Sequence, residues 1–415
     1  MKTKKSKILA IVIALALVLV YAVGCSGGGG DTPAPAPEPA PAPAPTESGG
    51  GDEPAPAAGS DAKNIGFYAD AADSYYSLMN DALTALAAQD PECDWTINYK
   101  AGQSTADEQL NAVNDFITAG YDAIIVIQNN PNTTSECIAR CKDAGIPYFG
   151  AAHFFGDAPN AGDSTGSVNY DFVQGGRLAG QDALARGVTK LVMIEGVLGQ
   201  GSASAQSLGF LLAYEEAGKS LGEKADGTPW TAEEVATIKP PVSDINGSPD
   251  ITVVSWKSGE WMTEPAFRAM LDSITALGKS GWDGAYVQNN PMVEGAIQAM
   301  EDQGLSTDDY WLGSMNGREI SWDWVQRGVL SMDVNQPSAM EGALLYQMIK
   351  EYFMTGAVQK NHVHPYLTGY TIEDVNDKLG SLVPCTDTQA FIDGVNSNSF
   401  VWRIDDPKFL EIPGY

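Results

Sequence analysis

The tetrapeptide Gln-Asn-Asn-Pro occurs twice in the chain, each time directly after an apolar run. Residues 128–131 follow the apolar residues 123–127, and residues 288–291 follow residues 284–287. Amide side chains both donate and accept hydrogen bonds, so each Gln-Asn pair suits the recognition of a neutral polar molecule. The Asn-Pro of each copy also suits a helix start, with Asn as N-cap and Pro at the first helical position. Helix capping by itself is therefore the simpler alternative for both copies.

The apolar runs indicate where these amides lie in a fold. A short apolar run that ends abruptly in polar residues is typical of a buried parallel strand at its carboxyl end. Each copy is thus predicted to be a strand–turn–helix junction. Ligands of open parallel sheets bind in the crevice outside such strand ends. Two junctions of the same kind predict two similar domains that face each other across a ligand.

The folded body begins near Lys63 and alternates strand patterns with helix patterns. In the first half, strands are predicted at 64–68, 94–99, 122–127 and 147–151, and helices at 74–88, 106–119 and 134–144. In the second half, helices are predicted at 172–185, 203–217, 264–277, 293–303, 319–327 and 340–354, and strands at 190–194, 251–256, 283–287, 310–314 and 331–335. This alternation is typical of βαβ units. The predicted fold class is therefore α/β, with two doubly wound, Rossmann-like parallel-sheet domains.

The chain offers little for catalysis or metal binding. No nucleophile elbow of the G-x-S-x-G type and no phosphate loop of the G-x-x-x-x-G-K-[ST] type is expected. Residues 199–202 follow a predicted strand and could hold a phosphate, but they lack the dinucleotide spacing. The only histidines are His153, His362 and His364, which form no catalytic set and have no ligand spacing to a cysteine pair. We predict that the protein is not an enzyme and that it binds no cofactor and no metal. An exported hydrolase is the distant alternative.

The N-terminus has the pattern of an export signal. Four lysines precede the apolar segment 8–20, which is shorter than the roughly 20 residues of a transmembrane helix. Residues 1–24 are predicted to be a signal peptide. Ala22-Val23-Gly24-Cys25 resembles the bacterial lipobox, which implies lipidation of Cys25 and a mature protein anchored to the outer face of the cytoplasmic membrane. An ordinary cleavage site and an uncleaved anchor are the alternatives.

A change in amino-acid composition marks the boundary between an N-terminal linker and the folded body. Residues 25–62 are rich in Gly, Pro, Ala and acidic residues, so they are predicted to be the lipid anchor and a semi-rigid linker without a core. The chain has a formal net charge of −29, which repels nucleic acid and anionic lipid surfaces. No nucleic-acid partner is expected. Cys93, Cys137, Cys141 and Cys385 belong to the body, and their pairing is left open.

Ordered landmarks through the body resemble those of a known family. They are Gln109 with residues 116–125, residues 145–147, residues 168–171 with Gly175 and Gly176, Gly209-Phe210, Asn289 with Gly295-Ala296, Asn316-Gly317, and residues 334–337 with Gly342. The stretch from about Asn64 to Thr371 is similar to type 1 periplasmic binding proteins of the ribose-binding branch. That resemblance implies a monomeric receptor that delivers a small ligand to an ABC permease and its ATPase.

The resemblance also implies a domain organisation. Two lobes are expected to be joined by a three-segment hinge near Asn169, Gln336 and Asn361, with the ligand in the cleft between them. The first lobe would comprise residues 63–169 plus 337–361. The second would comprise residues 170–336 plus 362–415, with a surface insertion at 223–249 and a C-terminal extension after Thr371. Trp230 and Trp402, in these two added segments, are interpreted as packing residues.

Ten residues are the candidate ligand contacts; nine stand at positions that the family resemblance implies, and Gln128 belongs to the first Gln-Asn-Asn-Pro copy. They are Asp73, Tyr75, Tyr76, Gln128, His153, Gln206, Trp261, Asn289, Asn316 and Gln336. The faces of the aromatic residues would stack on a sugar or a base. Asp73 has a second interpretation as the N-cap of the following helix, and His153 a second interpretation as a loop residue away from the ligand.

The departures from the family pattern bear on the ligand. The family has an Asp-Arg pair where Ala152 and His153 stand, an Arg where Gln206 stands and an Asp where Asn316 stands. Charged clamps on ring hydroxyls are thus largely replaced by amides and one histidine. A neutral ligand rich in hydroxyls or ring nitrogens is expected, and a sugar is the first choice. The alternative is a nucleoside or furanose-type signal molecule whose receptor feeds a sensory system.

Overall fold

The computed structural model describes residues 62–103, 105–128, 130–153 and 158–410. The predicted signal peptide, Cys25 and nearly all of the predicted linker lie outside these residues. No helix in the described ranges combines the length and the apolar character of a membrane span.

Strands and helices alternate through most of the body, as the sequence patterns predict. The strands are β1 Lys63–Ala69, β2 Trp95–Ala101, β3 Ala123–Ile127, β4 Tyr148–Ala151, β5 Gly166–Val168, β6 Lys190–Glu195, β7 Thr252–Ser258, β8 Gly284–Val287, β9 Trp311–Ser314, β10 Met332–Asn335, β11 His362–Val363 and β12 Thr368–Thr371. The helices are α1 Ser74–Gln89, α2 Ala106–Thr118, α3 Pro131–Ala144, α4 Phe172–Ala185, α5 Gly201–Glu216, α6 Ala232–Ile238, α7 Thr263–Leu277, α8 Asn290–Asp302, α9 Glu319–Gln326, α10 Ser338–Thr355, α11 Val375–Lys378, α12 Thr388–Asn396 and α13 Pro407–Leu410. The short strands β5, β11 and β12 carry too few residues for a periodic signal, and the sequence patterns did not predict them.

Two six-stranded sheets define two lobes. The first lobe contains the sheet β11-β5-β4-β3-β1-β2, in which neighbouring strands are parallel. The second lobe contains the sheet β12-β10-β9-β8-β6-β7, which is parallel except for the antiparallel pair β10–β12. Both central strands β3 and β8 are fully buried, because helices cover both faces of each sheet.

The two Gln-Asn-Asn-Pro copies form strand–turn–helix junctions, but their caps differ by one position. In the first copy Asn130 is the N-cap, its side chain accepts a hydrogen bond from the Thr133 amide, and Pro131 begins the helix. In the second copy the earlier asparagine, Asn289, is the N-cap and accepts from the Met292 amide. The equivalence expected of the two copies is therefore corrected: only the first uses its second asparagine as the cap.

The chain passes between the lobes four times within the described residues. Three passages follow Val168, Asn335 and Val363, close to the expected hinge positions, and the fourth lies between Leu382 and Val383, which belong to different cores. The fourth passage was not expected from the family pattern. It arises because the C-terminal extension returns to the first lobe.

The C-terminal extension corrects the expected lobe boundaries. Residues 362–415 were expected to belong to the second lobe, but Val363 pairs with Val168 in the sheet of the first. Helix α12 then packs on α1, and its Phe391, Ile392 and Val395 are buried in the core of the first lobe. Only the middle of this stretch, including β12, belongs to the second lobe.

The composition of the insertion at 223–249 suggested a surface segment, but part of it is buried in the core of the second lobe. Its helix α6 begins with a capping box of Thr231 and Glu234. Ala232, Val235 and Ala236 on this helix are buried in the second-lobe core, and Trp230 packs against it. Trp402 of the C-terminal extension packs against the first-lobe core in the same way. Both tryptophans therefore have the packing role expected for them.

Candidate ligand-binding site

The start of α1 presents two tyrosines at the carboxyl end of the first sheet. Asp73 caps this helix: its exposed carboxylate accepts a hydrogen bond of 2.7 Å from the Tyr75 amide. The cap fixes the first turn, and the half-buried rings of Tyr75 and Tyr76 meet edge to face with centroids 6.0 Å apart. The structure thus supports the capping interpretation of Asp73.

Tyr76 belongs to a polar cluster with His153 and Asp70. Its hydroxyl lies 2.9 Å from His153 Nε2, and Asp70 Oδ2 lies 4.0 Å from the same nitrogen. Burial lowers the pKa of His153 to about 4 and raises the pKa of Asp70 to about 6, against a hydrogen bond from Tyr76. His153 is therefore neutral wherever Asp70 is ionised, so the two do not form an ion pair. Asp70 was missed, although a carboxylate directly after a buried strand is the signal that could have revealed it.

Tyr75 belongs to a second cluster, which reaches the hinge. The Tyr75 hydroxyl donates to Glu341 Oε2 at 2.7 Å and accepts from Gln336 Nε2 at 2.9 Å. The Gln336 backbone amide donates to the Asn316 carbonyl of the second lobe at 2.9 Å. Gln336 thereby connects an aromatic residue of one lobe to the backbone of the other. Glu341 was missed, because it lies in α10, 266 residues from Tyr75 along the chain.

Trp261 lies at the strand ends of the second lobe, on a loop with two consecutive left-handed residues. Glu260 and Trp261 have φ values of 52° and 59°. The indole Nε1 donates to Gln200 Oε1 at 2.6 Å. The ring lies against Gly196 so closely that a Cβ there would be 2.0 Å from it. Gln200, another residue that was missed, therefore helps to fix the indole.

The amides of the second lobe support this loop. Asn289 Nδ2 donates to the Trp261 carbonyl at 3.1 Å, while its Oδ1 caps α8. Asn316 has a φ of 132°, and its Oδ1 accepts from the Asn290 amide at 3.1 Å. Both side chains hold the turns that follow the strands, so positioning is their first role in this structure.

Two of the expected contact residues are deeply buried. Gln128 is 3% exposed, and with its amide oriented by the hydrogen-bond network its nitrogen donates to the Ala151 and His153 carbonyls. Gln206 is 2% exposed and accepts from the Tyr286 hydroxyl at 2.9 Å. These partners weigh against direct ligand contacts by the two glutamines. Gln128 instead supports the loop that carries His153.

The structure assembles no catalytic constellation in its described residues. Residues 162–166 do spell G-x-S-x-G, which corrects the expectation that this motif is absent. They form a 3₁₀ turn that leads into β5 instead of a strand-to-helix elbow, and the Ser164 hydroxyl donates to the Ala161 carbonyl. No group of His, Cys, Asp and Glu in the described part of the chain could hold a metal ion. The cysteines left open for pairing, Cys93, Cys137, Cys141 and Cys385, are free thiols.

A family model identifies this fold. The model of the periplasmic binding protein domain matches residues 65–356, well over half of the chain. The chain belongs to this family. The predicted resemblance and the two-lobed α/β fold class are thereby confirmed. Members of the family bind substrates outside the cytoplasm and are not enzymes, in agreement with the prediction for this periplasmic binding protein.

Curated relatives of this periplasmic binding protein bind polyols and sugars. It is 26% identical over 251 residues to the xylitol-binding protein of Mycolicibacterium smegmatis, and the match covers 60% of each chain. It is 22% identical over 291 residues to the galactofuranose-binding protein of Escherichia coli, which covers 68% of this chain and 80% of that one.

Solved structures show the same fold at low identity. A galactofuranose binding protein superposes with a TM-score of 0.63 at 20% identity, covering 76% of this chain and 97% of that one. A solute binding protein of Bacillus halodurans with bound myo-inositol gives a TM-score of 0.61 at 22% identity, covering 76% and 96%. The fructose binding periplasmic domain of a hybrid two component system gives 0.61 at 16% identity, covering 81% and 97%.

Proposed function

We propose that this protein is the solute-binding lipoprotein of an ABC importer and that it binds a neutral sugar or polyol between its lobes. The observation that carries the proposal is the arrangement of aromatic and amide groups at both sets of strand ends. Tyr75 and Tyr76 lie at the strand ends of one lobe, Trp261 and Asn289 at those of the other, and Gln336 joins the two. Aromatic faces with neutral donors and acceptors suit the C–H surfaces and hydroxyls of a carbohydrate.

The electrostatics of the site disfavour an anionic ligand. None of the site residues named above is a lysine or an arginine, and His153 is neutral at physiological pH because burial lowers its pKa to about 4. A phosphate or a simple anion would find no charged clamp among them. The relatives that bind xylitol and galactofuranose have ligands of the expected kind.

Binding is coupled to closure in this proposal. A ligand that contacts both lobes favours the closed arrangement over the open one by the contacts that exist only when the lobes meet. The passages near Asn169, Gln336 and Asn361 act as hinges, and the closed form is recognised by a permease and its ATPase. The receptor works as a monomer, held to the outer face of the cytoplasmic membrane through lipidated Cys25.

Identification of the bound ligand tests the proposal. Mass spectrometry of small molecules released from the purified body, followed by calorimetric titration, should give a neutral sugar or polyol with micromolar or tighter affinity. Trp261→Ala should abolish that binding, and Trp230→Phe in the insertion should leave it intact. Recovery of a nucleoside would overturn the sugar assignment. Turnover of the ligand, or no binding across sugars, polyols and nucleosides, would overturn the receptor proposal.

A sensory role is the second candidate. It is favoured by the likeness to the fructose binding periplasmic domain of a hybrid two component system. If the protein serves an importer, deletion of its gene should abolish uptake of the radiolabelled ligand. Unchanged uptake together with a lost transcriptional response to the ligand would instead support the sensory role.

A further inference from the structure

Glu341 is a buried carboxyl group without a cationic partner. It lies in the first turn of α10 and is 0% exposed. No lysine, arginine or histidine of the described residues forms an ion pair with it. Its Oε2 accepts from the Tyr75 hydroxyl, and its Oε1 has no hydrogen-bond partner in the described part of the chain. A carboxylate in such surroundings carries a large cost of desolvation when it ionises, which the hydrogen bond from Tyr75 offsets only in part.

The groups that face Glu341 are neutral. Tyr75 and Tyr76 approach from α1, and burial raises the pKa of both phenols well above the ordinary value. Tyr170, in the first passage between the lobes, lies near Tyr75, and its hydroxyl donates to the Pro337 carbonyl at 2.8 Å. The backbone amide of Ala152, which donates to the Val168 carbonyl, lowers the pKa of Glu341 by less than Tyr75 does.

We propose that Glu341 is a positioning residue for ligand binding: as a neutral acid it fixes the Tyr75 ring and couples it to the hinge residue Gln336. The inference rests on the proposed function, since Tyr75 is its link to the ligand. The chain of contacts runs from Glu341 through the Tyr75 hydroxyl to the Gln336 amide, and from there to the Asn316 backbone of the second lobe. A change at Glu341 therefore reaches both the ring and the hinge.

Deprotonation of Glu341 would place a buried negative charge in this chain of contacts. Burial raises the pKa of Glu341 to about 8, opposed by the hydrogen bond from Tyr75. Above that pH the buried carboxylate carries a desolvation cost that the hydrogen bond from Tyr75 offsets only in part, and an open arrangement of the lobes, which admits water, lowers that cost. The closed, ligand-bound form then loses its advantage over the open form. Affinity should fall as pH rises above about 8, by at most tenfold per pH unit, because one proton is linked.

Calorimetric titrations of the full body between pH 7 and pH 9.5 test the inference. The probe is whichever of xylitol, myo-inositol and methyl β-D-galactofuranoside binds most tightly at pH 7. The wild type should lose affinity above pH 8, whereas Glu341→Gln, which imitates the neutral acid, should bind equally across the range. Glu351→Gln, the same change at a partly exposed position of α10, is the matched control, and its affinity should fall above pH 8 as that of the wild type does. His153 and Asp70 titrate below this range, since their pKa values are about 4 and about 6.

Urea unfolding of the ligand-free protein separates this inference from the proposed function. The folded-state pKa of Glu341 is above the ordinary 4.5, so its cost to stability appears above pH 4.5 and grows until about pH 8. Glu341→Gln should therefore gain stability over the wild type between those limits. Absence of probe binding at every pH would overturn the proposed function, whatever the unfolding shows. The role of Glu341 would be overturned if the wild-type affinity did not change with pH, or if the affinity of Glu341→Gln also fell above pH 8. It would also be overturned if the unfolding free energies of the two proteins changed in parallel with pH.

Discussion

The side-chain amide of Asn335 pairs with both backbone polar groups of Val383, 48 residues further along the chain. Its Oδ1 accepts from the Val383 amide at 2.8 Å, and its Nδ2 donates to the Val383 carbonyl at 2.9 Å. Asn335 ends β10 directly before the hinge residue Gln336, and Val383 begins the segment that returns to the first lobe. One buried side chain thus fastens the C-terminal extension beside the hinge.

Replacing Asn335 by alanine should destabilise the protein by about 2–4 kcal/mol, because two buried backbone groups of Val383 lose their partners. Urea unfolding at pH 7 measures this loss. Asn396→Ala, in which an exposed amide loses a hydrogen bond of 3.2 Å to Gln89, is the control and should cost under about 0.5 kcal/mol. Equal effects of the two changes would contradict the role of the Asn335–Val383 pairing.

Phe391→Ala should test whether the C-terminal extension is part of the first-lobe core. The ring is 0% exposed and lies 5.4 Å from that of Phe400. Its removal should cost about 3–5 kcal/mol of unfolding free energy, the usual range for a buried phenylalanine. Ile372→Ala, at a residue that is 42% exposed, should change stability far less. A loss under about 1 kcal/mol for Phe391→Ala would mean that the extension does not pack there in solution.

Gly176→Ala should prevent close packing of α4 on α5. A Cβ at this position would lie 1.9 Å from the Gln206 carbonyl oxygen, a backbone atom that cannot move aside. We expect loss of soluble protein, or a thermal midpoint lowered by more than about 10 °C, since several kcal/mol of strain are involved. Gly162→Ala, where a Cβ meets nothing within 4 Å, is the matched control and should melt like the wild type.

Gln200→Ala should weaken ligand binding through Trp261. The indole would lose its hydrogen bond of 2.6 Å and with it a fixed orientation, so we expect affinity to fall about 5- to 10-fold, or roughly 1–1.4 kcal/mol. Calorimetry with the identified ligand measures the effect, and thermal melting shows that the fold is retained. Unchanged affinity would mean that Gln200 does not control the indole when ligand is bound.

His153 should make the protein less stable as pH falls from 6.5 to 4. Burial lowers its pKa to about 4, so in this window the unfolded chain takes up a proton that the folded protein does not. The loss is on the order of 3 kcal/mol, since a pKa shift of one unit corresponds to about 1.4 kcal/mol. Asp70, with a pKa raised to about 6, acts in the opposite direction. The wild type must therefore be compared with His153→Gln in urea: parallel curves would show that the imidazole is hydrated in solution.

Local signals in the sequence predicted most of the secondary structure and the architecture. The buried run 123–127, the caps that precede α1 and α3, and the alternation of strands with helices are properties of short stretches, so they can be read without knowledge of the fold. The aromatic pair Tyr75-Tyr76 and the tryptophan Trp261 were chosen as candidate ligand contacts through the family resemblance, and that role stays a prediction. Export and lipidation remain predictions from the N-terminal pattern alone.

Hydrogen bonds and packing contacts between residues distant in the chain could not be predicted from the sequence. Nothing near Glu341 in the chain indicates that it accepts a hydrogen bond from Tyr75, 266 residues away, and no local pattern shows that α12 packs on α1 instead of on the second lobe. The two Gln-Asn-Asn-Pro copies have the same sequence but cap their helices with different asparagines. In the second copy the Asn290 side chain donates a buried hydrogen bond to Asp333, so the preceding Asn289 acts as the cap. Strand and helix formation depends on neighbours in the chain. The partners of buried polar groups depend on which surfaces the whole fold removes from water.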